Sequence, residues 1–161
     1  FPRKVLDEIG PMNEKLSRGE DNEYNARIRN AGYKIYFDPQ IISTYYSRPT
    51  LTSSVHQMYR NGRSIGVLLR TFPRAVGLRH VVPACFVVGM LSCLLFGWGV
   101  PILWNVLIWI LVVYWIAALG ATGLACLRFG FDMGFILPIL FFSVHIAYGT
   151  GTVYGFLTKK I

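Results

Sequence analysis

Three apolar stretches in the second half of the chain decide most of what it can become. One starts at Val81, one runs from Ile102 to Cys126, and one from Phe135 to Leu157. Each approaches the ~20 residues an α-helix needs to cross ~30 Å of hydrocarbon, the first only when the turn after it is counted in. The chain has sixteen Lys/Arg and eight Asp/Glu, yet residues 81–161 hold only Arg128, Asp132, Lys159 and Lys160. All other formal charge lies in 1–80. A sequence that is 53% hydrophobic and carries a net charge of +8 therefore divides into a polar half and a membrane half.

The spacing predicts spans over about 81–98, 102–126 and 135–157. Gly97-Trp98-Gly99-Val100-Pro101 is short and uncharged, so the first two spans form a tight hairpin with Trp98 and Trp104 suited to the interface. Arg128 and the arginines before Val81 both favour the cytosolic side, and a two-pass hairpin satisfies both. Lys159-Lys160 conflicts with this arrangement, because a third full crossing places them outside; three crossings are nevertheless the expectation. Inside the third span sits His145, an ionisable residue at membrane depth and hence a functional candidate. A neutral His145 bonding between helices is the plainer reading. Gly151-x-x-x-Gly155 permits close helix packing. Cys85, Cys93 and Cys126 all fall in apolar segments without metal-ligand spacing and read as small packing residues.

In the polar half, Lys4 to Glu14 reads as a short helix or turn ended by Gly10-Pro11. The stretch from Ser17 to Pro39 is richer. Glu20 and Asp21 stand where a loop becomes a helix, Tyr24, Ile28 and Ala31 recur at helical spacing, and Gly32 is a natural C′ residue. A strand is expected over Lys34–Phe37, broken by Asp38-Pro39. A second, β-branched and aromatic, is expected over Ile41–Tyr46 and ended by Ser47-Arg48-Pro49. Helix, strand, turn and strand predict an α/β fold. So few strands in about 80 residues bury a modest core, and Phe1-Pro2-Arg3-Lys4 lacks a Met and a leading apolar run. The expectation is that the larger part of this domain lies upstream of Phe1.

Ser53 or Ser54 is placed to cap the next helix. From Arg60 to His80 there are five arginines, Arg60, Arg63, Arg70, Arg74 and Arg79, and no acid. Apolar residues alternate with them. This is the pattern of a segment lying on an anionic leaflet, where each of Arg70, Arg74 and Arg79 contributes about 1 kcal/mol. Nucleic acid is not an expected partner, because the segment abuts a membrane span and matches no nucleic-acid-binding motif. A transporter is not expected either, since only His145 among readily charged groups lies well inside a span.

Carboxylates at a helix N-terminus are held as anions by free N–H groups and the dipole, at roughly 0.3–1 kcal/mol each. An ionised carboxylate at the rim of a fold can take a proton from an incoming hydroxyl. Acidic first turns also arise for purely structural reasons, so Glu20-Asp21 does not by itself assign chemistry.

A wider pattern does point to chemistry. Asp7-Glu8, then Gly19-Glu20-Asp21-x-Glu-x-x-x-Arg-x-Arg-x-x-Gly-Tyr-Lys-Ile-Tyr-Phe-Asp-Pro, then Gln57-x-x-Arg60-x-Gly62-Arg63, resembles the C-terminal part of family 2 glycosyltransferases. Within that family it is most similar to the succinoglycan-type exopolysaccharide transferases. The resemblance implies residues 1–50 as the end of a GT-A, Rossmann-like catalytic domain, 51–80 as a basic interfacial region and 81–161 as transmembrane helices. It implies Asp21 as the base that deprotonates the acceptor hydroxyl, with Glu20 supporting it. Gln57, Arg60 and Arg63 would lie near the donor diphosphate and the acceptor. The implied reaction is an inverting transfer of one sugar from a nucleotide-sugar to a polyprenyl-phosphate-linked or glycan acceptor. It would need Mg²⁺ or Mn²⁺, whose ligands are expected upstream of Phe1, and would occur on the cytosolic face of a bacterial-type inner membrane. Processive synthases of the family carry Trp after the motif Arg, whereas Asn61 follows Arg60 here, which favours single-sugar transfer. The alternatives are a processive polysaccharide synthase and, from another class, a non-catalytic membrane adaptor whose basic face binds lipid. The resemblance also implies that this stretch alone is inactive.

Overall fold

A computed structural model describes residues 2–14, 16, 18–45 and 50–158. Six α-helices appear in chain order: α1 (Arg3–Ile9), α2 (Glu20–Asn30), α3 (Leu51–Thr71), α4 (Val82–Phe96), α5 (Ile102–Phe129) and α6 (Ile136–Leu157). Short 3₁₀ turns at Pro73–Ala75, Leu78–His80 and Phe131–Met133 link them.

The expected α/β fold is not formed: no strand or sheet exists among the described residues. Residues 33–38 and 41–45 are irregular, and the bond from the Ile41 N–H to the Asp38 carbonyl (3.2 Å) only closes the turn between them. The Asp38 carboxylate accepts from the Gln40 N–H at 2.9 Å in the same turn. The reason is that β-branched and aromatic composition supplies a surface to pack, not a ladder. A strand needs a neighbour for its N–H and C=O groups, and none of the described segments offers one. Tyr36, Phe37, Ile41 and Ile42 are accordingly exposed. Tyr46 and Ser47-Arg48-Pro49, which were to close the second strand, lie outside the described residues, as do Phe1, Lys15, Ser17 and Lys159-Lys160-Ile161.

The polar helices form for local reasons. Gly10 ends α1 at φ +78°. α2 closes on a Schellman motif: Gly32 at φ +87° donates to the Arg29 carbonyl and Tyr33 to that of Ile28. Tyr33 also packs on the Val5–Tyr24–Ile28 cluster. Arg27 fastens α1 to α2, donating to the carbonyls of Ile9 and Pro11 (2.7 Å each) and pairing at 2.7 Å with buried Glu23. α3 is capped by Thr50, whose Oγ1 accepts from the Ser53 N–H at 3.2 Å. Ser53 and Ser54, the predicted caps, lie in the first turn and donate their hydroxyls to the Thr50 carbonyl.

Three helical stretches are long and apolar enough to cross a membrane: Leu78–Phe96, Ile102–Phe129 and Ile136–Leu157. α4 and α5 form the expected hairpin, with Trp104 against Gly97 and edge-on to Trp98 at its turn. The largest helix–helix interface, however, joins α3 to α6. The two run side by side in the same direction. Tyr59 and Gly62 on α3 meet Gly151 and Tyr148 on α6, Gly66 meets Thr152 and Gly155, and Arg70 reaches the carbonyls of Phe156 and Thr158. Glycines make this approach possible. A Cβ at Gly62 would overlap the Tyr148 carbonyl, one at Gly66 that of Thr152, one at Gly151 that of Tyr59 and one at Gly155 that of Arg63. Gly62-x-x-x-Gly66 thus faces Gly151-x-x-x-Gly155, backbone on backbone.

Candidate functional site

At about 100° per residue, Tyr59, Gly62, Gly66 and Arg70 share one face of α3 while Asn61, Ser64 and Leu68 lie nearly opposite. The first face holds α6. The second receives the N-terminus of α2. Arg18 donates to Asn61 Oδ1 at 2.6 Å, and the Ser64 hydroxyl donates to the Arg18 carbonyl at 2.5 Å. Gly19 follows at φ +78°, where a Cβ would lie 2.7 Å from Ser64 Oγ and 3.0 Å from Leu68 Cδ1. Both the left-handed backbone and the close approach require glycine there. The loop is latched to α3, and the latch fixes where α2 begins.

Glu20 and Asp21 are the first two residues of α2. Asp21 is exposed and accepts from the Asn22 N–H at 2.8 Å. Glu20 is half-buried, and its Oε2 is enclosed without a hydrogen-bond partner. A buried carboxylate oxygen left unpaired is costly unless a ligand or proton completes it.

Both acids line a cavity of about 860 Å³. Its other walls are Arg18, Met58, Asn61, Ser64 and Ile65, the entry to α4 at Arg79, His80 and Pro83, and Val144, His145 and Tyr148 of α6. His80 Nδ1 lies 3.0 Å from the Tyr148 hydroxyl, and Arg79 Nε donates to His80 Nε2 at 3.4 Å. His145 Nδ1 lies 2.8 Å from the Phe141 carbonyl, with Tyr114 packed edge-on against its ring. The Phe141 carbonyl can only accept, so His145 Nδ1 is the donor of that pair. The cavity thus joins a carboxylate wall to a wall of arginine, imidazole and phenol.

The other predicted site residues lie outside this cavity. Gln57 donates to the Tyr45 hydroxyl at 3.2 Å, and Arg60 projects exposed from the same helix. Arg63 sits over the Tyr154 ring, 5.6 Å from its centroid. Arg70 bonds the last carbonyls of α6, which suits a cation at a helix C-terminus. Arg74 is exposed beside a smaller cavity of about 250 Å³ that Glu23 and Arg27 also line. Among the described residues no group of three or more His, Cys, Asp or Glu side chains is placed to hold a metal ion, so no metal seat is assembled here.

Two known proteins are similar to the chain over nearly its whole length. One is the dolichyl N-acetyl-α-D-glucosaminyl phosphate 3-β-D-2,3-diacetamido-2,3-dideoxy-β-D-glucuronosyltransferase of Methanococcus voltae, 27% identical over 146 residues, 88% of this chain and 41% of that protein. The other is the succinoglycan biosynthesis protein ExoA of Rhizobium meliloti (strain 1021), 25% identical over 153 residues, 89% of this chain and 42% of that protein. The chain is related to glycosyltransferases of glycan biosynthesis. It spans about two fifths of the length of the relatives it matches. No family model and no solved structure matches it.

The relationship gives the cavity a context, but several of its walls were not foreseen. Nothing in the spacing of His80 or Tyr148 marks them for this wall, and Asn61 stands out in the sequence only as a departure from a motif. One signal was present: Gly62-x-x-x-Gly66 has the same spacing as Gly151-x-x-x-Gly155. In the structure the two motifs pack with Tyr148 beside Gly62, next to Asn61.

Proposed function

We propose that the chain forms the acceptor-side end of a membrane-bound inverting glycosyltransferase that moves a single sugar from a nucleotide-sugar to a lipid-linked or glycan acceptor. The observation that carries this reading is the shared cavity. It sets Asp21 and the unpaired Glu20 carboxylate in one space with the first residues of a candidate membrane span. An acceptor anchored in lipid can present a hydroxyl to carboxylates only where cavity and membrane boundary meet. The similarity to a named dolichyl-phosphate-sugar transferase and to a succinoglycan-biosynthesis protein supports the same reading.

In this proposal Asp21 accepts the proton of the acceptor hydroxyl as that oxygen attacks the anomeric carbon and the nucleoside diphosphate leaves. Its carboxylate is exposed and oriented by the Asn22 N–H. Glu20 supports Asp21 and the acceptor site from the cavity wall. Gln57, Arg60 and Arg63 serve the donor diphosphate side, where a guanidinium fork suits phosphate oxygens. Mg²⁺ or Mn²⁺ belongs to the reaction class, but no residue described here is assigned to it. The cytosolic face of an inner membrane is the proposed location, in keeping with the arginines around the α3–α4 junction. Single-sugar transfer is supported by Asn61, whose side chain is engaged by Arg18 at the cavity wall.

The test uses the full-length protein in membranes, wild type beside Asp21→Asn. Nucleoside-diphosphate release is followed across a panel of nucleotide-sugars with lipid extract as acceptor. Removing a general base costs about 10²–10⁴-fold, so the variant should lose turnover while remaining folded. Equal release by both removes Asp21 as base, and no release from folded wild type favours a non-catalytic membrane adaptor.

A further inference from the structure

The wall facing the acids is made by Arg79, His80 and Tyr148. Arg79 Nε can only donate, so His80 Nε2, 3.4 Å away, is the acceptor of that pair. A neutral imidazole then carries its proton on Nδ1 and donates it to the Tyr148 hydroxyl oxygen at 3.0 Å. That oxygen's own hydrogen is left to point elsewhere, and no acceptor among the described residues takes it. Arg79 is committed only through Nε, and its terminal nitrogens are unpaired among the described residues. Glu20 and Asp21 line the same cavity, yet neither forms an ion pair with Arg79. Opposite charges facing one space without meeting leave room for a ligand that carries an anion at one end and a hydroxyl at the other.

The position supplies the rest. Arg79 and His80 belong to the 3₁₀ turn that opens the first membrane-crossing stretch, Leu78–Phe96, and Pro83 and Tyr148 continue the wall into the α4–α6 contact. An anion seated here stands at the membrane boundary with apolar helix directly beyond it. Guanidinium and phenol donors are the groups that bind phosphate oxygens through short, charge-assisted hydrogen bonds.

We propose that Arg79, His80 and Tyr148 form a seat for the phosphate of a lipid-linked acceptor, with His80 as the positioning residue that aims the Tyr148 hydroxyl. This assignment rests on the transferase reading and names the acceptor class for its cavity. The alternative source of the same chemistry is the diphosphate of the donor.

The experiment is equilibrium binding to purified full-length protein in nanodiscs, which does not require turnover. The probes are farnesyl phosphate, farnesol and uridine diphosphate, against wild type, Tyr148→Phe, Arg79→Gln, His80→Gln and Ile108→Ala. Wild type should prefer farnesyl phosphate to farnesol. Tyr148→Phe and Arg79→Gln should each weaken farnesyl phosphate about tenfold, with farnesol and uridine diphosphate unchanged, and His80→Gln should weaken it less. Ile108→Ala, on the exposed face of α5 outside the cavity, should bind it as wild type does. Unchanged binding in both Tyr148→Phe and Arg79→Gln overturns the seat. A loss for uridine diphosphate equal to that for farnesyl phosphate reassigns it to the donor and also overturns the proposal. Phosphate-selective binding in a protein that releases no nucleoside diphosphate keeps the seat and removes the transferase reading instead.

Discussion

α5 and α6 look alike as strings of apolar residues and are used in opposite ways. α5 is the longer and more hydrophobic, yet of its 28 residues only Leu107, Ala118, Thr122 and Cys126 are buried. Gly120 and Gly123 have nothing within 4 Å of where a Cβ would stand. α6 buries Pro138, Ala147, Gly149, Gly151, Thr152 and Gly155, and Gly149 is closed off by Pro83 and Val87 as its other glycines are by α3. One helix leaves most of its surface exposed; the other is a structural wall of the cavity. Hydropathy reports that a helix can enter a membrane, whereas the placement of its smallest residues reports what it does there.

The largest effects should come from forcing bulk into the α3–α6 contact. Gly155→Leu should abolish folding, read as loss of the monodisperse protein in detergent. The equivalent Gly120→Leu should leave it intact, and if both behave alike the contrast fails. Gly66→Ala and Gly155→Ala are milder, because a methyl meets carbonyl oxygen and the helices must separate; each should cost about 1–3 kcal/mol in denaturant unfolding. Next comes the latch on the other face of α3. Asn61→Ala leaves the Arg18 guanidinium without its acceptor, a loss of about 1.5–3 kcal/mol for a hydrogen bond to a charged group, and lets α2 shift relative to the cavity. Gly120→Ala and Gly123→Ala should be neutral or stabilising by up to about 1 kcal/mol, the difference in helix propensity. Smallest is a pH effect far from both helices. The Tyr33 hydroxyl donates to Glu8 at 2.5 Å, and this bond raises its pKa above the usual value. Its contribution is complete below about pH 10, the unfolded value, and is lost as pH rises through the folded one. The stability difference between wild type and Tyr33→Phe in denaturant unfolding should therefore stay constant up to about pH 10 and shrink above it.

Local signals in the sequence were readable where they depend on near neighbours. The acids opening α2, Gly32 closing it, the α4–α5 hairpin and the close-packing Gly151-x-x-x-Gly155 are of this kind. What failed depends on distant partners. Lys34–Phe37 and Ile41–Tyr46 have strand composition, but pairing is supplied by another segment, and none described here provides it. The helix cap lies at Thr50 and not at Ser53 or Ser54 because the helix starts three or four residues sooner than those caps imply. The cavity was hidden for the same reason: Arg18 to Asn61, and His80 to Tyr148, are contacts across 43 and 68 residues. No spacing rule pairs them, although two glycine motifs of equal period pointed at the helices involved.

α6 walls the same open cavity as Asp21. The direct measurement is cysteine accessibility at His145→Cys in full-length protein carrying Cys85→Ala, Cys93→Ala and Cys126→Ala. Ile108→Cys on the exposed face of α5 serves as the lipid-facing control. A charged, membrane-impermeant thiosulfonate should label His145→Cys rapidly and Ile108→Cys hardly at all. Equal protection of both, in protein that a lipid-soluble maleimide does label, would place His145 in hydrocarbon and contradict the account.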